Sequence, residues 1–312
     1  MSQPSPPPEN GPSGFIDGVR LAIGTLSVFP VRPGVVDRRA GGIAMAVAPL
    51  VGAAIGACGG LVLVISLWLG MTSLPASVLA VATVALLTRG LHLDGLADLA
   101  DGLGSAKPAE RALEIMKRSD IGPFGVVTLI LVLLVQVAAL QEAITWAGAG
   151  AAVIILVAAC TAGRLALTWA CRTGIPPARP DGLGAMVAGT VRRSVAVVVT
   201  ALVLAGTTAL VYLHGIGAFS PWTSGSSGEF GYFAYVEADD LTGITDVIPV
   251  AGVGRFLAPW GLPLAMLVGL LAAWAVRRRA ARRLGGVTGD VLGALVEIAT
   301  ATTLLACTIL TN

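Results

Sequence analysis

Three aspartates in the segment GLHLDGLADLADGLGS, Asp94, Asp98 and Asp101, recur at i, i+4 and i+7, which sets them on one face if the segment is helical. Converging carboxylates repel one another unless they share a cation. Hard oxygen ligands of this kind suit Mg²⁺, or Mn²⁺, and such an ion also takes substrate phosphate oxygens. A solvated loop whose acids merely balance Arg89 and Lys107 is the plainer alternative, but helical register directly against a hydrophobic run argues for the metal face. His92 stands beside these acids, either as an interfacial hydrogen-bonder or as a group that meets substrate.

A second acidic pair, Asp290 and Glu297 in RRLGGVTGDVLGALVEIAT, is seven residues apart and shares a helix face. Glu297 would lie roughly 10 Å along an apolar helix at about 1.5 Å per residue, where an unpaired charge is costly. The pair is expected to border a substrate cavity, against the alternative of a buried hydrogen bond to a neighbouring span. Before it, Gly285, Gly286, Thr288 and Gly289 form an expected amide-exposing turn at a helix N-terminus, a place for an anion. Cations are at hand in Lys117 and Arg118, which follow a short amphipathic stretch with Ala112, Ile115 and Met116 on its apolar side. The connection CRTGIPPARPDGLGAMVAGTVRRS adds Arg172, Arg179, Asp181 and Arg192 on the same face. Clustered carboxylates, cations and glycine turns together point to metal-assisted chemistry on a phosphorylated or pyrophosphorylated substrate. No Ser/His or Cys/His nucleophile set is visible, and Cys58, Cys160, Cys171 and Cys307 are scattered without ligand spacing.

The elements that must hold these residues are membrane helices. Of 312 residues 55% are hydrophobic and only 12% charged, against about 25% charged in a soluble domain; mean hydropathy is +0.86. A net charge of +2 gives no reason to expect nucleic acid as a partner. The expected fold is an all-α integral membrane protein, a polytopic helical bundle of about seven transmembrane helices. Stretches at roughly 41–69, 73–91, 122–145, 148–170, 194–213, 257–276 and 288–310 approach the about 20 apolar residues a span needs. Residues 15–31, interrupted by Asp17, Gly18 and Arg20, read as an interfacial helix, and 1–14 as a disordered tail. Residues 15–312 then form a single membrane domain with an insertion at about 214–256. All of the 20 Lys and Arg residues except Arg255 fall in the N-terminal segment and in the second, fourth and sixth connections, Arg164 being counted in the fourth. This asymmetry places the N-terminus in the cytoplasm and the C-terminus and 214–256 outside. The cluster Arg277 to Arg283 either sets topology or touches anionic lipid.

These segments resemble the cobalamin synthase family, the adenosylcobinamide-GDP ribazoletransferases. The resemblance is carried in order by AIGTLSVFPV, PLVGAAIG, HLDGLADLADGLGS, ALEIMKRSDIGPFGV, DGLGAMVAGTVRR and LGGVTGDVLGALVE, nearly the whole chain. One departure is the order Lys117, Arg118, Ser119, Asp120, which exchanges acid and base across Ser119 relative to the family pattern. The resemblance implies a multi-pass enzyme of the bacterial cytoplasmic membrane, surrounded by lipid. It would join adenosylcobinamide-GDP to α-ribazole or its 5′-phosphate with release of GMP and a requirement for Mg²⁺. Asp94 and Asp98 would be metal ligands and Asp101 a ligand or general base, with Asp98 also catalytic. Substrate contacts would come from His92, Lys117, Arg192, Gly286, Thr288, Asp290 and Glu297. Two other classes share parts of the pattern. A CDP-alcohol phosphotransferase would need a DGxxAR-type run, which Ala97–Asp98 breaks, and a transporter would carry deep charges on several spans. The preferred lower base and the oligomeric state are left open. A reporter active only in the cytoplasm, fused after Asn312, is expected to be silent; a signal there would mean a miscount by one span, with 15–31 the first suspect.

Overall fold

The computed structural model describes residues 13–32, 34–215 and 260–311. All regular elements among them are helices: α1 (Phe15–Leu26), α2 (Arg38–Trp68), α3 (Ser73–Leu87), α4 (Leu91–Gly104), α5 (Ala109–Ile115), α6 (Pro123–Ala170), α7 (Gly182–Val187), α8 (Arg193–Gly215), α9 (Gly261–Leu284) and α10 (Gly289–Thr311). The expected tail and the expected insertion lie outside the described residues except at their ends. Of the tail, Ser13 is ordered: its hydroxyl donates to Asp37 at 2.6 Å, while Asp37 also accepts from the Ala40 amide and so caps α2. These bonds hold the Asp37 carboxyl down at about 2.

Five helices, α2, α6, α8, α9 and α10, are long and apolar enough to cross a membrane, and the protein is a multi-pass membrane protein. Their outer faces carry exposed large side chains such as Leu50, Leu131, Leu202 and Leu271, as expected where lipid is the solvent. Helix α6, at 48 residues, is far longer than a bilayer is thick. It breaks at Gly148, whose φ of 81° and ψ of 169° are not helical. Gln136 and Arg164, on either side of the break, would stand roughly 42 Å apart on a straight helix at about 1.5 Å per residue. Both nevertheless lie near Glu297 of α10, so α6 folds back at Gly148 into two arms. The break falls where the expected stretches 122–145 and 148–170 meet.

The expected span 73–91 ends earlier. Arg89 and Gly90 adopt positive φ of 54° and 67°, which stops α3 at Leu87, and α4 leaves at 88° to it. Helix α4 thereby turns away from the line of α3. It packs on α10 through two glycines. A Cβ on Gly95 would come within 2.7 Å of the Asp290 carbonyl oxygen, and one on Gly293 within 3.2 Å of the His92 Cα. Only hydrogen at these positions lets the backbones approach so closely.

Arg164 corrects the sequence reading. It lies inside the second arm of α6, 1% exposed, not in a connection, because the helix runs on to Ala170. The four cysteines are free, three of them buried, as small apolar residues would be. Gly95→Ala is expected to lower the melting temperature in detergent by several degrees, the result of about 1–3 kcal/mol of overpacking, and to cut activity. Gly206→Ala on α8, with nothing within 4 Å of the new Cβ, is expected to leave both unchanged.

Candidate active site

The α4–α10 crossing sits at the wall of a cavity of about 390 Å³, within the size range of small-molecule clefts. Its polar side is formed by His92 and Asp94 of α4, Lys117, Arg179, Asp181, Thr288 and Asp290, and its apolar side includes Leu26, Met45, Leu91, Leu167, Leu183 and Leu292. Five of the sequence-predicted site residues, His92, Asp94, Lys117, Thr288 and Asp290, therefore share one space. Gly286, Arg192, Asp98, Asp101 and Glu297 do not line it.

Each of these five has a definite place. Asp98 stands behind the wall, close enough to Asp94, Asp290 and Asp101 for their charges to act on it. Partial burial and then these like charges push its carboxyl up to about 7. Asp101 is buried and aimed elsewhere: it accepts from the amides of Gly122 at 2.7 Å and Gly125 at 3.0 Å, one on each carboxylate oxygen. It thus caps the N-terminus of α6 from another helix, where a carboxylate also meets the positive end of the helix dipole. Of the expected trio, Asp94 lines the cavity together with Asp290, and Asp98 and Asp101 do not. Among the described residues no three His, Cys, Asp or Glu side chains converge closely enough to cage an ion.

Gly286 serves the backbone. A Cβ there would come within 2.4 Å of the Pro176 carbonyl oxygen. The strands of chain around it pair instead: Val287 donates to Pro176 and Ala178 donates to Val287, each at 3.0 Å. The amides expected to be open to an anion are partly spent on this pairing, which ties the 176–178 segment to the start of α10. Thr288 caps that helix, its hydroxyl accepting from the Val291 amide at 3.2 Å. Arg192 is exposed away from the cavity. Glu297, 8% exposed, accepts from Gln136 Nε2 at 2.8 Å; the hydrogen bond between spans, not the cavity, is where the structure puts it.

Arg179 is the residue that sequence reasoning named without placing in the site. Its Nη2 donates to the Leu113 carbonyl at 2.6 Å, and its Nη1 lies 3.7 Å from Asp290 Oδ2. Its Nε is buried without a hydrogen-bond partner among the described residues. The signal was present in its position between two prolines, Pro177 and Pro180, which stiffen the segment that carries it. His92 is 2% exposed and faces Arg164 of α6, Nη2 to Nδ1 at 3.5 Å. Burial, and then this guanidinium, hold the His92 ring well below the usual imidazole range, so it is uncharged.

Fold and site together define a helical membrane protein with an acid-lined, cation-bordered cleft, a donor set suited to a phosphorylated substrate. The chain belongs to the cobalamin-5-phosphate synthase family, whose model matches residues 18–308. It is 43% identical over 296 residues to the adenosylcobinamide-GDP ribazoletransferase of Frankia casuarinae, covering 92% of each chain. The enzymes of the same name from a Nocardioides strain and from Corynebacterium efficiens are 34% and 32% identical; the alignments cover 93% and 96% of this chain, and 97% and 94% of theirs. No solved structure matches this chain. Family membership sets aside the CDP-alcohol phosphotransferase and the transporter.

The raised Asp98 carboxyl has a consequence for stability. Its folded value of about 7 exceeds the ordinary 3.8, so its contribution is full below about pH 4 and is lost as pH rises towards 7. In buffer without divalent cations, Asp98→Asn is expected to gain melting temperature relative to wild type between pH 4 and pH 7. A constant difference across that window would show that Asp98 is not crowded.

Proposed function

We propose that this protein joins adenosylcobinamide-GDP to α-ribazole, or to its 5′-phosphate, with release of GMP, the last step in assembling the cobalamin nucleotide loop. The observation that carries the reading is the convergence of Asp94, Asp290, Lys117 and Arg179 on one cavity with an apolar far side. A ribose hydroxyl oxygen forms a new bond to the phosphorus that bears the cobinamide, the bond from that phosphorus to the GMP oxygen breaks, and the hydroxyl proton leaves. Asp98 does not line the cavity, so with a carboxyl near 7 it suits acceptance of that proton through a bridging water. The Arg179 Nε–H and the Lys117 ammonium are the donors for phosphate oxygens. The apolar side takes the heterocyclic base, and a cleft of about 390 Å³ leaves the bulky corrin ring outside, at the membrane surface.

Mg²⁺ fits the donor set: Mg²⁺ is usually bound by one or two carboxylates plus substrate phosphates and keeps several waters, and the crowding around Asp98 marks uncompensated negative charge. Asp94 and Asp290 would hold it. When bound, the ion neutralises charge developing on the phosphoryl and leaving oxygens. Asp101 acts by fixing the start of α6.

We infer seven crossings in the bacterial cytoplasmic membrane, α2, α3, the two arms of α6, α8, α9 and α10, with α1 at the interface and residues 15–312 one domain. Its partially exposed Phe15 and Ile16 against buried Gly18, Ala22 and Leu26 support that placement. The basic ends of α9 and the α4 acids then share the cytoplasmic side with the N-terminus.

Purified full-length protein in nanodiscs with Mg²⁺ is expected to release GMP from adenosylcobinamide-GDP only when α-ribazole is present. Asp94→Asn and Asp290→Asn are each expected to lower the rate about a hundredfold or more with melting unchanged within a few degrees. Arg179→Lys is expected to raise the KM for the corrinoid at least about tenfold, since a point charge cannot replace the guanidinium fork. No GMP from the wild-type protein would overturn the assignment.

A further inference from the structure

Beneath the cavity lies a layer of buried polar side chains that the proposed chemistry does not use: Arg164 and Gln136 of the two α6 arms, Glu297 of α10, and His92 of α4. A guanidinium taken out of water inside a bundle needs strong reasons to stay there. Arg164 is 1% exposed, yet its Nε has no hydrogen-bond partner among the described residues, and its Nη1 reaches only its own helix, at the Cys160 carbonyl, 3.5 Å away. Glu297 lies within electrostatic range as its countercharge, itself anchored by Gln136. Room for the arginine is made on α2, where a Cβ on Gly52 would come within 3.0 Å of the Arg164 Cδ. Three helices are thus shaped around a cation whose remaining group, Nη2, lies 3.5 Å from His92 Nδ1.

A guanidinium carries only N–H donors and no acceptor. An imidazole nitrogen that a guanidinium N–H faces at 3.5 Å must present its lone pair, so Nδ1 is the bare nitrogen and the ring proton resides on Nε2. That Nε2 is buried without a partner among the described residues, and His92 is one of the residues that line the cavity. A buried unmatched donor at the wall of a cleft is costly unless a ligand takes it.

We propose that Arg164 is a positioning residue that fixes His92 as the tautomer with its proton on Nε2, and that this N–H donates to a phosphoryl oxygen of the substrate. The donor half rests on the pyrophosphate chemistry proposed above; the tautomer half does not. Arg164 itself touches no substrate. Glu297 keeps the arginine in place, which accounts for a carboxylate two turns inside an apolar helix without giving it a part in the reaction.

The chain has two histidines, His92 and His214, so protein labelled with ¹⁵N-histidine in nanodiscs gives two imidazole patterns, and His214→Asn identifies which is which. The expected His92 spectrum shows a bare Nδ1 and a protonated Nε2; a proton on Nδ1, or a mixture of both forms, overturns the proposal. Addition of Mg²⁺ with inorganic pyrophosphate is expected to shift the Nε2–H resonance, and an unmoved resonance at saturating probe overturns the donor half. In the GMP assay, His92→Gln puts an amide N–H near the Nε2 position and His92→Asn near Nδ1. His92→Gln is expected to keep at least about tenfold more kcat/KM, the equivalent of one hydrogen bond, and equal losses count against the assignment. Arg164→Gln, which retains a donor without the charge, is expected to preserve the tautomer that Arg164→Met loses. If Arg164→Met fails to fold, the wild-type spectrum and the His92 pair still decide. Absence of GMP release by the wild-type protein would fault the reaction, and the spectra would then decide the tautomer.

Discussion

The site depends on one close crossing. Helix α4 lies over the start of α10 with Gly95 against the Asp290 backbone and Gly293 against His92, and that contact brings the acids of residues 94–98 on one helix close to residue 290 on the other. Glycine at both positions removes the two Cβ atoms that would force the backbones apart, an arrangement common where membrane helices must touch. The crossing is buttressed from below by the pairing of Val287 with Pro176 and Ala178. The same pairing brings Arg179 to within 3.7 Å of Asp290. From above, Asp101 locks the far end of α4 to α6 through Gly122 and Gly125. Three local close approaches, each needing a glycine, therefore assemble one cavity from parts of the chain almost two hundred residues apart.

Much of this was legible in the sequence, and the parts that were not have a common cause. Helical register of the aspartates, the amphipathic stretch around Ala112 and Met116, the break near Gly148 and the membrane class all follow from periodicity and composition, which are local. The assignment of Asp101 failed to follow because register says which residues share a face but not what that face meets. Here the last turn of the face meets two helix-end amides. Glu297 likewise satisfies the requirement that a deep carboxylate be paired, through Gln136; the sequence could state the requirement but not choose between a cavity and a neighbouring span. Arg164 was counted with a connection because α6 continues past it as an uninterrupted apolar run, and positive charge alone does not mark where a span ends. Gly286 was read as an open turn because glycine permits both a flexible loop and a tight backbone approach, and only the partner, Pro176, distinguishes them.

The charge distribution explains why the site sits at the bundle end. Asp94, Asp98 and Asp290 bring three carboxyls together against Arg179 as the one cation in close contact among the described residues. Asp98 relieves the imbalance by holding its proton to about pH 7, a cost that the fold sustains only because water still reaches these groups. Deeper in, where it does not, each polar group has been matched more strictly: Glu297 with Gln136 and, at longer range, Arg164. The gradient from a half-solvated acidic wall to a dry, paired layer runs over about two turns of α10.

That gradient also separates two kinds of catalytic contribution. Groups at the wet end can change protonation and exchange ligands, which proton acceptance and cation binding require, and their positions need only be set to within a hydrogen bond. Groups at the dry end cannot change charge without a large penalty, so what they supply is fixed orientation. His92 lies on the boundary, uncharged because it is buried and a guanidinium adjoins it, with one ring nitrogen turned to the dry layer, and it is among the residues that line the cavity. An imidazole held in that way has lost its usual versatility as an acid or base and has become a directional donor. That is the more useful property beside a pyrophosphate, whose oxygens gain negative charge as the bond to the leaving nucleotide breaks.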